Sequence, residues 1–265
     1  MNYEKIINRL QEHLEESLSA YNNPDWFVIC LQGSQNYNLA DEESDIDTKL
    51  LIFPNFEDLV FNKPAISHTY IMENNEHCDV KDVREYFKIF RKQNINFVEI
   101  LFTDYYIVNP KYANEWKELR RWREEIACYN KYQALKCMLG MASEKMHALT
   151  HEYPSRLYWI EKYGYDPKQA SHLFRIKVFI KDYIEGKKSY KQMLNAPKIC
   201  LDIKRNGLET ERETAEEICG KWYQECRDMV NEWCNNHEQE INQLAESVLY
   251  RILYSIMFKS IKSSL

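Results

Sequence analysis

Residues 26–53 read WFVICLQGSQNYNLADEESDIDTKLLIF, and this stretch decides the fold. An apolar run of strand length, residues 26–31, ends at Gly33-Ser34. After a polar segment, residues 46–53 form a second apolar run, which Pro54 closes. Short apolar runs bounded by turn residues are typical of buried strands. The sequence therefore predicts two successive strands joined by a polar segment.

The flanking regions predict an α/β unit. Apolar residues at helical spacing predict an amphipathic helix over residues 3–20. A third strand is expected around residues 78–80, and residues 55–75 are interpreted as irregular. Asp82 opens a capping-box pattern, which predicts a helix over residues 83–92.

Beyond residue 111 the chain is expected to be helical almost throughout, including residues 135–146, 174–180 and two helices within 211–260. The predicted fold class is therefore α+β. Residues 1–125 are expected to form the α/β part, and residues 126–265 an all-helical C-terminal domain.

The composition limits the class of protein. Of 265 residues, 45% are apolar and 29% are charged, which suits a sizeable core and a polar surface. The chain has no long apolar run and its N-terminus is charged, so we expect a cytoplasmic protein without a membrane segment. The net charge of -6 argues against broad, nonspecific nucleic-acid binding but leaves room for a local basic groove.

Gly33-Ser34 is a candidate phosphate-binding turn. Gly33 follows a strand directly, and glycine permits a tight turn and a close approach of the backbone to a ligand. Ser34 adds a hydroxyl group. If a helix begins here, its N–H groups favour phosphate. The alternative is a common turn without a ligand.

Asp45-Ile46-Asp47 is a candidate metal site. Residues i and i+2 of a strand point to the same face, with Cα atoms roughly 6.6 Å apart. Two carboxylates at this span suit a pair of divalent ions about 3.5–4 Å apart, as phosphoryl transfer requires. An acidic stretch of this kind is also often a solvated loop. The order of strand, Gly-Ser, gap, Asp-x-Asp and strand is more specific than either motif alone.

A third carboxylate would complete the metal site. Asp79 is the better candidate, because it lies on the third expected strand. Asp82 is the alternative, but it is also expected to cap a helix.

These motifs resemble a known family. Gly33-Ser34 with Asp45-x-Asp47 resembles the signature of nucleotidyltransferases of the DNA polymerase β superfamily. The string GSQNYNLADEESDIDTKLLI resembles one branch, the predicted nucleotidyltransferases of bacteria and phages that are associated in part with RNA repair. That branch usually has a Tyr-Gly-x-Ala-like segment, and here Asn38 replaces its glycine. The resemblance implies a small mixed β-sheet core with flanking helices, and it places the third metal-binding acid at Asp79.

Two further segments are similar to that branch: KQNINFVEILFTD (92–104) and YGYDPKQASHLFRI (163–176). In the second, Lys168, His172 and Arg175 share one face of a helix, where they suit a triphosphate or an acceptor phosphate. From the residues alone, this face of the helix could also be a solvent-exposed basic surface that binds no phosphate. With the resemblance, we expect Lys168 and Arg175 to contact triphosphate or substrate, and His172 to orient or donate.

The expected activity is Mg²⁺-dependent transfer of a nucleoside monophosphate from an NTP, such as ATP, to an acceptor hydroxyl. Asp45 and Asp47 would hold two ions, for which Mn²⁺ is an alternative, and Asp79 would hold the ion that activates the acceptor. Gly33 and Ser34 would cradle the β,γ-phosphates. The resemblance favours an RNA 3′ end as acceptor, with a protein or a small molecule as alternatives. A non-catalytic, antitoxin-like nucleotide-binding module is the hypothesis from another class, and the presence of all three carboxylates argues against it.

The cysteines are not expected to bind a metal. None of the eight forms a CxxC pair, so they are interpreted as reduced thiols. Cys219, Cys226, Cys234 and His237 have the spacing of one helical face, which favours a buried stripe over a zinc site.

Overall fold

The structure is a computed structural model that describes residues 3–40 and 44–264, and the side chain of Ser264 is not part of the description. It is mixed α+β, with a five-stranded sheet and a helical C-terminal part. The chain divides into two compact units. The first unit contains residues 1–36, 41–130 and 241–265, and the second contains residues 37–40 and 131–240.

The sheet of the first unit has the order β3-β4-β2-β1-β5. β2 and β4 are parallel, whereas the other neighbouring pairs are antiparallel. The strands are β1 (Trp26–Gln32), β2 (Asp47–Ile52), β3 (Ser67–Ile71), β4 (His77–Asp82) and β5 (Tyr106–Val108).

Helix α1 (Tyr3–Ala20) covers one face of this sheet. Its apolar stripe includes Leu14, which packs against Ile29, Leu50 and Val80 of three neighbouring strands. The helix over residues 3–20 and the strand pair are therefore confirmed. Burial of alternate strand residues under an amphipathic helix stabilises both elements.

The first unit also contains helices that lie between the strands or after them in sequence. Asp82 is the N-cap of α3 (Val83–Lys92) and accepts a hydrogen bond from the backbone N–H of Arg84 at 2.8 Å, as the sequence predicts. Glu85, which the capping-box pattern pairs with the N-cap backbone, instead accepts from Lys88 Nζ at 2.6 Å. These helices are α2 (Phe56–Val60), α3 (Val83–Lys92), α4 (Ile95–Val98), α5 (Ala113–Arg121), α6 (Arg123–Ala127) and α13 (Gln243–Ser264).

The second unit is helical and is centred on α9 (Pro167–Glu185), which packs against three other helices of this unit. Asp166 accepts from the backbone N–H of Lys168 at 2.9 Å, so it is the N-cap of α9, and Pro167 occupies the first turn. The other helices are α7 (Lys131–Ala148), α8 (Leu157–Tyr163), α10 (Tyr190–Leu194), α11 (Lys198–Asn206) and α12 (Arg212–Asn236).

The domain division differs from the predicted one. The predicted boundary between residues 125 and 126 lies near the observed one at 130, but α13 groups with the first unit. Polar contacts support this grouping, because Ser260 Oγ donates to Asp25 Oδ2 at 2.9 Å. Lys259 Nζ also lies 2.6 Å from Glu115 Oε1. Helical periodicity identified α13 but could not show which unit it packs against.

Residues 55–75 are more regular than expected, since they contain α2 and β3. Four of the five side chains of β3 are exposed, so this edge strand lacks the apolar alternation that identifies a strand in sequence. Among the described residues, no helix combines the length and apolar character needed to cross a membrane.

Candidate active site

The turn at Gly33 lies at the end of β1 and begins a short 3₁₀ helix, Gly33–Tyr37. Gly33 has a φ of 84°, a left-handed conformation that glycine adopts without the strain of a Cβ atom. Its backbone N–H donates to Glu99 Oε1 at 3.2 Å, and Glu99 is buried. The carboxylate of Glu99 thus fixes the turn from inside, and the partly buried Ser34 follows it.

The acidic pair lies at the same end of the sheet as this turn. Gln32, the last residue of β1, is the antiparallel partner of Asp47, the first residue of β2. The turn at Gly33 therefore begins directly beside Asp47. Asp45 is exposed, and the side chain of Asp47 is 35% exposed, so both carboxylates are accessible to a ligand. The residues 41–43 that precede them lie outside the described part of the chain.

His77 contacts Asp47 from the neighbouring strand. The backbone N–H of His77 donates to Asp47 Oδ1 at 3.1 Å, and His77 Nδ1 lies 3.3 Å from the same oxygen. These contacts orient the carboxylate of Asp47. His77 was not predicted as a site residue, because its relation to Asp47 depends on the pairing of β2 with β4.

Asp79 lies on the same face of the sheet as Asp47. β2 and β4 pair in parallel with Lys49 opposite Asp79, and Lys49 is two residues after Asp47. Lys49 Nζ lies 2.9 Å from Asp79 Oδ2, and Lys81 Nζ lies 3.2 Å from Asp79 Oδ1. The ring of Phe97 lies 4.2 Å from Lys49 Nζ and adds a cation–π contact. The carboxylate of Asp79 is therefore held between two lysines.

Asp82 has a different environment. Asp82 lies three residues after Asp79 on β4. Because side chains alternate along a strand, the two carboxylates are on opposite faces of the sheet. Asp82 caps α3, and its Oδ2 lies 2.6 Å from Arg84 Nη2. It is buried, with a side chain that is 4% exposed. These contacts fully account for Asp82 as a structural carboxylate.

The carboxylates of Asp45 and Asp47 fit a divalent cation, because their oxygens are the hard ligands that Mg²⁺ prefers. Within residues 3–40 and 44–264, no group of three or more His, Cys, Asp or Glu residues is arranged to hold a metal ion. Asp79 Oδ2 already accepts from Lys49 Nζ and Asp79 Oδ1 forms an ion pair with Lys81, although a carboxylate has about four acceptor positions. A cation at Asp45 and Asp47 would therefore have to share Asp79 with the two lysines.

A partly buried polar network supports the acidic pair from the α1 side of the sheet. The backbone N–H of Ile46, between the two acids, donates to Glu76 Oε1 at 3.1 Å. Glu76 Oε2 accepts from Arg9 Nε at 3.0 Å and lies 3.0 Å from His13 Nε2. His13 Nδ1 lies 3.0 Å from Thr48 Oγ1. The network thus contacts the residue on either side of Asp47.

The protonation states of this network follow from its geometry. Burial raises the pKa of Glu76, but hydrogen bonds from Asn74, Arg9, His13 and Ile46 outweigh it and lower the pKa to about 2. Burial lowers the pKa of His13 below its ordinary value, so its ring is neutral at pH 7. An ionised carboxylate only accepts hydrogen bonds, so Nε2 carries the proton and Nδ1 accepts from the hydroxyl of Thr48.

Sequence reasoning did not identify this network, although α1 contains one signal of it. His13 is fully buried and lies on the apolar stripe with Ile6, Leu10 and Leu14. A histidine on a buried stripe needs polar partners. The sequence alone did not show that Glu76, distant along the chain, is the partner.

The predicted basic residues lie on α9 in the second unit. Lys168 is exposed, His172 is partly exposed and Arg175 is buried. Arg175 Cζ lies 3.8 Å from the ring centroid of Tyr37, which belongs to the same unit. Burial, followed by the positive charges of Arg175, Lys168, Lys145 and Lys204, holds the pKa of His172 well below its ordinary value. Its imidazole is therefore neutral at pH 7.

The segment 37–40 is held in the second unit by backbone and side-chain contacts. Lys204 Nζ of α11 donates to the carbonyl of Leu39 at 3.0 Å, and the backbone N–H of Ala196 donates to the carbonyl of Tyr37 at 2.9 Å. Asn38, which replaces the glycine of the resembled motif, has a φ of 59° and donates to Asn195 Oδ1 at 3.1 Å. Asparagine tolerates this left-handed conformation better than most residues, so the substitution is compatible with the turn.

The cysteine stripe lies on α12. Cys219 and Cys226 are buried and Cys234 is partly exposed, and burial raises the pKa of Cys219 and of Cys226 to about 12. His237 follows the helix and stacks on Trp233 with ring centroids 4.1 Å apart. The buried thiols are protonated and pack as small apolar side chains.

Compared with models of known protein families and with curated proteins, the chain has no match.

Proposed function

We propose that this protein is a Mg²⁺-dependent nucleotidyltransferase of the DNA polymerase β type. The observation that carries the proposal is the pairing of Gln32 with Asp47, which puts the glycine turn beside the acidic pair. Asp79 faces the same side from the adjacent strand. A turn that suits phosphate and carboxylates that suit divalent cations are the parts that phosphoryl transfer needs.

Each residue has a defined role in this proposal. Asp45 and Asp47 hold the metal, and Asp79 is the third ligand. When bound, Mg²⁺ neutralises charge on the transferred phosphate and activates the acceptor hydroxyl. Ser34 donates to the β,γ-phosphates. The backbone N–H of Gly33 is already engaged by Glu99, so the contribution of Gly33 is the shape of the turn rather than a direct donor.

The basic residues of α9 have the remaining roles in this proposal. Lys168 and Arg175 bind the triphosphate tail, and the neutral His172 orients or donates a hydrogen bond rather than acting as a base. The favoured acceptor is an RNA 3′ end, with a protein or a small molecule as alternatives. We place the protein in the cytoplasm, where its eight free cysteines stay reduced.

One observation favours a second candidate, a nucleotide-binding module without turnover. Asp79 is the proposed third ligand, yet two lysines already compensate its charge. A protein that had lost metal-dependent chemistry would retain such a neutralised carboxylate.

A labelling experiment distinguishes the two candidates. The protein is incubated with Mg²⁺, each α-³²P-labelled NTP, total RNA and lysate protein, and pyrophosphate release is followed. The enzyme predicts label in one pool, and Asp45→Asn or Asp47→Asn lowers the rate at least about 100-fold. Asp104→Asn, at a carboxylate that is 64% exposed, is the matched control and leaves the rate unchanged. Binding of NTP by the unmutated protein without pyrophosphate release in any mixture supports the module.

A further inference from the structure

The guanidinium of Arg175 is buried without full hydrogen bonding. The residue is 4% exposed, and neither Nε nor Nη1 has a hydrogen-bond partner among the described residues. The contact with the ring of Tyr37 attracts the positive charge but accepts no conventional N–H hydrogen bond. Unpaired buried donors of a charged group are costly, so they point to a ligand that accepts from them.

Three other cations of the second unit lie on α9 or on helices that pack against it. Lys168 lies two turns before Arg175 on the same face of α9. Lys204 lies on α11, which packs against α9, and Lys145 lies on α7, which also packs against α9. The four cations all act on His172, which lies between Lys168 and Arg175 on that face and is held in its neutral form.

We propose that Arg175, Lys168, Lys204 and Lys145 form an anion site within the second unit that binds a phosphate chain without a divalent cation. The identification of this chain as the triphosphate of the substrate rests on the proposed function, and Lys145 and Lys204 are additions to it. Arginine provides a planar fork of donors and lysine provides point charges, and both suit phosphate oxygens. A phosphate chain has acceptor oxygens along its length, so it can accept from the unpaired donors of Arg175 and also reach lysines on neighbouring helices. Lys145 Nζ also lies 2.9 Å from Glu144 Oε1, so the phosphate chain would share this cation with that carboxylate.

Segment 37–40 gives the site its shape. The ring of Tyr37 lies against the guanidinium, and the carbonyl of Leu39 accepts from Lys204. Two of the four cations are therefore held in place by this one segment. Fixed cations lose less conformational freedom on binding than mobile ones, which favours affinity for the phosphate chain.

The test is calorimetric titration of the full-length protein with sodium triphosphate in buffer that contains EDTA. We expect saturable binding, and we expect Lys204→Met and Lys168→Met each to weaken it about tenfold or more. Arg205→Met, at the next residue of α11, removes the same charge from an exposed position and serves as the matched control, with a change of less than about twofold. Arg175→Lys keeps the positive charge but removes the planar set of N–H donors. We expect this variant to bind triphosphate more weakly than the parent protein while unfolding at the same temperature.

The results separate this inference from the proposed function. Absence of triphosphate binding in EDTA overturns the anion site even if the protein releases pyrophosphate with Mg²⁺. Equal weakening by Lys204→Met and Arg205→Met also overturns it, because the effect would then be general electrostatics. Binding that depends on Lys204, in a protein without any transferase activity, supports the site and counts against the transferase.

Discussion

The backbone N–H of Ile46 donates to Glu76 Oε1 at 3.1 Å, so the residue between the two proposed metal ligands is bound to a carboxylate that is only 12% exposed. Ile46 and Glu76 lie on the α1 side of the sheet, whereas Asp47 begins the alternation that faces the opposite side. The network therefore holds the backbone of the acidic pair from the α1 side of the sheet. It does not contact the opposite side, where the proposed ligand binds. Supporting hydrogen bonds of this kind commonly tune metal affinity.

Glu76→Gln should weaken metal binding. The amide cannot accept from Arg9, His13 and Ile46 as an ionised carboxylate does, so the backbone between the acids loses its fixed position. We expect Mn²⁺ affinity, measured by electron paramagnetic resonance, to fall about tenfold, the lower end for loss of a supporting partner. Glu73→Gln, at an exposed residue that also precedes β4, is the control. Unchanged Mn²⁺ affinity in a folded Glu76→Gln variant would show that the network is purely structural.

The same carboxylate should make stability depend on pH. The folded pKa of Glu76 is about 2, below the ordinary value of 4.5. A depressed carboxylate pKa means that stability is full above about pH 4.5 and is lost as the pH falls toward about 2. The shift corresponds to at most about 3 kcal/mol. Urea unfolding of the parent and of Glu76→Gln should give a stability difference that narrows from pH 5 to pH 3. A constant difference over this range contradicts the prediction.

Lys49→Met should destabilise the fold more than a change at a surface lysine. Lys49 is 4% exposed and pairs with Asp79, so among the described residues its removal leaves a mostly buried carboxylate with Lys81 as its one ion-pair partner. We expect a loss of about 2–3 kcal/mol in the free energy of unfolding. Lys88→Met removes an ion pair with Glu85 whose lysine is 65% exposed, and it should cost less than about 0.5 kcal/mol. Equal losses in the free energy of unfolding would mean that the buried ion pair contributes no more to stability than the exposed one.

Alanine substitutions at two glycines should act in opposite directions. At both Gly33 and Gly140, an added Cβ atom would meet nothing within 4 Å, so crowding is not a factor at either position. Gly33 has a φ of 84°, so Gly33→Ala should cost about 1 kcal/mol. Gly140 lies within α7, where Gly140→Ala should stabilise by up to about 1 kcal/mol. Thermal unfolding measures both changes, and stabilisation by Gly33→Ala would contradict the strain argument.

Elements with strong local patterns were predictable from the sequence. The helix over residues 3–20, the strands that flank Gly33 and the cap at Asp82 all depend on spacing within short windows. β3 was missed because most of its side chains are exposed, and β5 because it is only three residues long. These strands exist through pairing with neighbours that are distant in sequence, and such pairing leaves little local trace.

The sequence by itself determined the local sets of candidate residues: a glycine and a serine after one strand, two acids before the next, and three basic residues on one helical face. Their local spacing fixes these sets because helix and strand periods are set by backbone geometry. Only the tertiary structure decided that Gln32 pairs with Asp47, that two lysines hold Asp79 and that Glu76 binds the backbone at Ile46. These relationships join residues far apart in the chain, and burial and strand register select them after the local elements have formed.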